Sequence, residues 1–153
     1  EYEKYGEMAL PLAVFSCTWN GIPLIYSGQE LPNHKRLHFF DKDEIEWTDA
    51  PALHSLYKKL LKLRKEHPAL AAGTHQVITW RLGTTALDHV FAFVRRCGEQ
   101  EVIVLLNFSD VAQKFDVNDG RVRGVYKDLF TGKERDIRDH VSLSPWGYNI
   151  LYK

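Results

Sequence analysis

The 153-residue chain carries 20 basic and 20 acidic residues, so its formal net charge is zero. Both halves are close to balanced, and no long-range field draws nucleic acid or an anionic membrane. With 44% hydrophobic and 26% charged residues the composition is that of a globular protein of one domain or two small ones, and no run reaches the roughly 18 to 20 apolar residues of a membrane span.

Residues 4 to 19, rich in Met, Ala, Leu, Val and Phe, predict a buried helix that Pro11 either kinks or restarts. Asn20-Gly21 stops it. The apolar run 22 to 26 is too short for a helix and predicts a fully buried parallel strand, with Pro23 acceptable at its start. That run ends abruptly in Ser27-Gly28-Gln29-Glu30, and ligands gather where parallel strands open into loops. Residues 31 to 47 have no period and predict a long loop, a kind of segment that often carries function. A helix follows, with Asp49 as its expected cap and Pro51 in its first turn. Leu53, Leu56, Tyr57, Leu60 and Leu63 mark its apolar face, while Lys58, Lys59, Lys62 and Lys65 lie on a solvated one. His67-Pro68 and Gly73 end it. Helix, strand, loop, helix is one and a half units of a parallel α/β fold.

After Gly73 the texture changes. Runs rich in Val, Ile, Phe and Thr predict strands at 75–81, 86–96, 101–108, 112–117, 122–129, 134–137 and 148–152. Turn signals at Gly98-Glu99-Gln100, Asn118-Asp119-Gly120 and Thr131-Gly132 separate several of them. Such spacing predicts a small antiparallel sandwich, with Val102, Val104 and Leu106 on one face and Ile103 and Leu105 on the other. Cys17 and Cys97 form no framework of bridges and read as two free thiols, which leaves the compartment open.

Several stretches together resemble the α-amylase family, glycoside hydrolase family thirteen. Gly21 to Glu30 matches the Gly-x-Pro-x-Ile-Tyr-x-Gly-x-Glu wording of that family's eighth barrel strand. Tyr57 to Arg64 and His67 to Leu70 match its final barrel helix and the segment after it. Val90 to Arg95, Asn107-Phe108-Ser109 and Leu143 to Tyr148 match strands of its C-terminal β-sandwich, in order. The resemblance implies a mixed fold: residues 1–73 as the C-terminal part of a (β/α)8 barrel, and residues 74–153 as an antiparallel Greek-key sandwich. It implies a retaining hydrolase of α-1,4-glucans or maltooligosaccharides whose catalytic acids all lie upstream of Glu1, so the chain reads as a C-terminal fragment with no catalytic residue of its own. Leu151-Tyr152-Lys153 reads as a natural C-terminus. The alternative is a non-catalytic β-sandwich module that steadies a barrel or binds sugar.

Taken alone, Glu30 with Asp41, Asp43, Glu44 and Glu46 suggests a carboxylate pair of the kind glycosidases need. The resemblance moves the acids elsewhere and leaves Glu30 shaping the barrel mouth. Gln29, Glu30, His34, Lys35 and Arg36 are the expected substrate-binding residues, with Phe40 and Trp47 as candidate stacking faces. His34 and His38 lack metal-site spacing, the acidic loop lacks a calcium loop's glycine, and no cofactor motif occurs. Ser27 lacks a nucleophile elbow, Asn107 reads as structural despite its sequon, and Trp80 and Trp146 read as packing residues. The apolar stretch from 4 to 30 is expected to bind the rest of a barrel, to self-associate or to fray. No nucleic-acid or membrane partner is expected.

Overall fold

The computed structural model describes residues 2–31, 34–38 and 40–153. It opens with one turn of helix, α1 (Tyr2–Tyr5), a 3-10 turn over Gly6–Met8 and helix α2 (Ala9–Thr18). The expected single helix is broken at Gly6, whose φ of 54° lies in the left-handed region. Pro11 is the third residue of α2, in the first turn, where its missing N–H costs no internal bond.

Residues 22–26 enter no ladder among the described residues, so the expected strand is present as an unpaired segment. Its side chains nevertheless alternate. Ile22, Leu24 and Tyr26 are 87%, 81% and 62% exposed, while Pro23 and Ile25 are half-buried. Helix α3 (His54–Glu66) starts later than Asp49 predicts, and no side chain caps it. The Leu53 N–H donates instead to the Glu30 carbonyl at 3.0 Å, so the loop's backbone does the work expected of Asp49. His67 ends α3, and a 3-10 turn covers Pro68–Leu70.

The strands are β1 (Val77–Arg81), β2 (Val90–Cys97), β3 (Gln100–Asn107), β4 (Gln113–Phe115), β5 (Val125–Asp128), β6 (Glu134–Asp136), β7 (Val141–Leu143) and β8 (Tyr148–Tyr152). Six form one sheet in the order β1-β2-β3-β8-β5-β6, and β4 pairs with β7; every pairing is antiparallel. The chain thus crosses to the small sheet twice and returns to lay β8 between β3 and β5. Strand β7 escaped sequence reading because Val-Ser-Leu is a single alternation, too short to signal.

Strand β3 is buried from end to end beyond Gln100. Val102, Val104 and Leu106 join Phe93 and Ile150 in a core shared with Val14, Cys17, Tyr57, Leu60, Leu63 and Leu70. Ile103 and Leu105 face a second core with Phe115, Val141 and Leu143 of the small sheet. The faces predicted from the period of two are the faces observed. Helices cover one side of the large sheet and the two-stranded sheet covers part of the other. Cys17 and Cys97 are free, and burial pushes the Cys17 thiol up.

Candidate functional site

The turn after the extended segment is closed by its own residues. The Gln29 N–H donates to the Tyr26 carbonyl at 3.0 Å, and the Gln29 side-chain oxygen accepts the Tyr26 N–H at 3.0 Å. Gly28 must be glycine there: its φ is 81°, and an added Cβ would stand 3.0 Å from Ile45 Cγ2. Glycine therefore lets the 27–30 turn lie against the later loop.

That loop is tied by one carboxylate. Asp43 pairs with Lys35, accepts the His38 N–H at 3.0 Å and accepts the Glu44 N–H at 2.9 Å. The Lys35 hydrogen bond, followed by the His38 N–H, holds the Asp43 carboxyl down at about 2. His34 lies against Tyr2, with ring centroids 5.3 Å apart. Pro32, Asn33 and Phe39 fall outside the described residues.

A surface depression of about 640 Å³ gathers Gln29, Lys35 and Arg36 with the rings of Tyr5 and Tyr26. Three of the five expected substrate residues thus share one concavity. Glu30 is turned elsewhere, with its carboxylate 3.8 Å from His54 Nδ1. His34 is beside Tyr2 and lines no wall of the depression. Phe40 and Trp47, the candidate stacking faces, are exposed and also lie outside it. Tyr5 and Tyr26 take that place. Tyr26 was legible as part of the strand motif, but its direction was not. A neighbouring groove of about 390 Å³, walled by Leu12, Phe15 and Leu24, continues the concavity along α2.

The arrangement suits a polyhydroxylated ligand better than a metal. Aromatic faces offer C–H stacking, while an amide, an ammonium and a guanidinium offer hydrogen bonds to hydroxyls. Among the described residues no three His, Cys, Asp or Glu side chains come together as a metal site would need. Other candidates have structural roles. The Asn107 amide is fully buried and donates to the Val111 and Ser144 carbonyls, each at 2.8 Å, so this sequon asparagine is a strand-end tie. Trp80 lies under the guanidinium groups of Arg96 and Arg121, and its indole N–H donates to Asp119 at 3.2 Å. Trp146, half-buried at φ 52°, donates its backbone N–H to the Ser109 carbonyl at 2.9 Å. A second open groove of about 640 Å³, between α3 and β5, gathers Lys59, Lys62 and Lys127 beside Tyr152.

Residues 84–150 match the family described as Maltogenic Amylase, C-terminal domain. The chain carries a C-terminal domain of the α-amylase family, glycoside hydrolase family thirteen. It is 32% identical to Alpha-amylase 2 of Dictyoglomus thermophilum, over 92% of this chain and 25% of that protein. It is 28% identical to a cyclomaltodextrinase of Thermoanaerobacter pseudethanolicus, over 91% of this chain and 22% of that one. The chain thus spans about a quarter of the length of these curated relatives. The fold is similar to part of a noncanonic maltogenic α-amylase from Thermotoga neapolitana, with a TM-score of 0.76 at 17% identity, over 96% of this chain and 36% of that structure. The family-model match lies within the β-rich part, while the matches to the curated relatives and to the solved structure run over nearly the whole chain.

Proposed function

We propose that the chain is the C-terminal portion of a glycoside hydrolase acting on α-1,4-glucans or maltooligosaccharides. Residues 1–73 are then the last elements of its (β/α)8 catalytic barrel, and residues 74–153 its C-terminal sandwich. One observation carries this reading: the alternation along 22–26 without a sheet. A barrel strand turns every second side chain toward the surrounding helices and the others toward the barrel interior. Ile25 packs on the core the helices share and Pro23 is half-buried with it, while Ile22, Leu24 and Tyr26 form the exposed row. Parallel neighbours on both edges would complete the pattern.

In that setting Gln29, Lys35 and Arg36 lie at the carboxyl end of the last strand, where barrel chemistry gathers, and contact sugar hydroxyls, while Glu30, held near His54, and His34, beside Tyr2, shape the mouth around them. Retaining hydrolysis needs two carboxyl groups about 5 to 5.5 Å apart across the scissile bond. The barrel's other strands supply them, and this chain alone does not turn over. The alternative module reading draws on the core that helices and sheet share, since a sandwich so fused to helices would steady a barrel without touching substrate.

The test is hydrolysis of maltotriose by the 153-residue chain, alone and joined to a family barrel. Activity only in the joined form, with KM raised by Arg36→Ala or His34→Ala, is expected. Turnover by the chain alone that disappears in Glu30→Gln would overturn the proposal.

A further inference from the structure

Two arginines meet at the carboxyl end of α2, and neither has a carboxylate partner among the described residues. Arg95 of β2 is 2% exposed. Its guanidinium donates to the Thr18 and Trp19 carbonyls at 3.2 and 3.0 Å, and to the Ala71 carbonyl at 2.9 Å, while its Nε has no partner. Arg64 of α3 donates to the Cys17 and Trp19 carbonyls at 2.9 and 3.2 Å and also to the Gly21 carbonyl. Burial, then the neighbouring Arg64 charge, brings Arg95 down to about 10. Placing two cations side by side is unfavourable, and the negative end of the α2 dipole with six carbonyl oxygens, that of Leu70 at 3.5 Å from Arg95 included, offsets it.

The location gives the pair a consequence. Trp19 to Gly21 is where the chain leaves α2 for the unpaired segment 22–26. Among the described residues that segment is anchored by the carbonyls the arginines hold at its start, by the Asn20 side chain, which accepts the Thr79 hydroxyl at 3.1 Å, and by Ile25 packed on the shared core. No ladder supports it between them. Resting on the proposed sugar site, we infer that Arg64 and Arg95 are positioning residues for it: they fix the exit of α2 against α3 and the sheet, and so set where Tyr26 and Gln29 stand. A guanidinium fork can bridge carbonyls of separate segments, as Arg95 does from Trp19 to Ala71, whereas a lysine ammonium is a single point of charge.

Amide hydrogen exchange on the whole chain tests this. The bonded Gln29 and Leu31 amides report the turn, and those of β2 and β3 report the sheet. Arg64→Met and Arg95→Met should each speed exchange at Gln29 and Leu31 by about tenfold while β2 and β3 keep their protection. The lysine variants, which also serve if the methionine ones fail to fold, should lie between. Ile103→Val, on the far face of the sheet, should not change the ratio of turn to sheet exchange. Uniform acceleration, or none at the turn, overturns the inference. Maltotriose titration tests the reading beneath it separately. If the wild-type chain joined to a family barrel ignores maltotriose, the sugar site fails while exchange still decides the clamp. If it binds and the arginine variants bind equally well, the positioning role fails.

Discussion

Two apolar runs in this chain have similar compositions and opposite fates. Glu101 to Leu106 in β3 is paired on both edges and buried on both faces. Ile22 to Tyr26 is paired on neither edge and half bare. Propensity alone does not make the difference, since Ile and Tyr suit strands as Val does and Pro23 stands near the start of its run, where a strand tolerates it. The presence of neighbours does. Strand β3 finds β2 and β8 nearby in the sequence or returned by the fold, helices above and a small sheet below. The earlier run has only the helical layer. An apolar sequence asks for burial on both sides, and the tertiary context decides how much of that is met.

The comparison breaks most easily at its strong end. Phe93→Ala, which empties a fully buried position in the core that helices and sheet share, should cost about 3 to 5 kcal/mol in denaturant unfolding. A loss below about 1 kcal/mol would mean that the two layers are not fused. Glu101→Gln comes next. That carboxylate is 4% exposed, takes Arg96 and the Tyr126 hydroxyl, and lies 3.3 Å from Lys153 Nζ. Burial of the Tyr126 ring, then its hydrogen bond to Glu101, pushes the Tyr126 phenol up. Losing the charge should cost about 2 kcal/mol, within the range for a hydrogen bond to a charged group.

A pH experiment sharpens the contrast between scaffold and loop. Asp119 in the sheet half and Asp43 in the loop are both held at about 2, by Arg121 and Lys35 respectively. Each folded value lies below the unfolded carboxyl's, near 3.9, so the stabilisation is present above about pH 4 and is lost as pH falls through about 2. Salt separates them. At about 1 M Asp43, held by one lysine ammonium, should return toward its ordinary value in an NMR titration, while Asp119, gripped by two guanidinium nitrogens of Arg121 and by the Trp80 indole N–H, moves less. Equal movement would place both on the same footing.

The smallest expected effect lies at the bare strand. Leu24→Ala removes a side chain that is 81% exposed and should change monomer stability by less than about 0.5 kcal/mol. Light scattering gives the complementary outcome. If the chain self-associates through residues 4 to 30, Leu24→Ala should weaken the assembly, and the stability of the associated form should fall with it.

The sequence by itself determined the elements whose signal is local and repeated. Leu53, Tyr57, Leu60 and Leu63 recur at helical spacing, and α3 buries that face; Val102 to Leu106 alternate, and their two faces separate into two cores. The motif at Gly21 to Glu30 marked the segment and its turn, and Gln29, Lys35 and Arg36 do converge. Tertiary structure alone decided the rest, because each remaining feature depends on a partner far away in the chain. Asp49 lost its cap role to the Glu30 carbonyl, β7 exists because β4 pairs with it, and Glu30 turned toward His54. Arg95 looks like one more surface cation in a strand, yet it is sealed beneath carbonyls of two other segments. Local period dictates which side of an element is apolar; only the closing of long loops dictates what that side, or a polar group beside it, will meet.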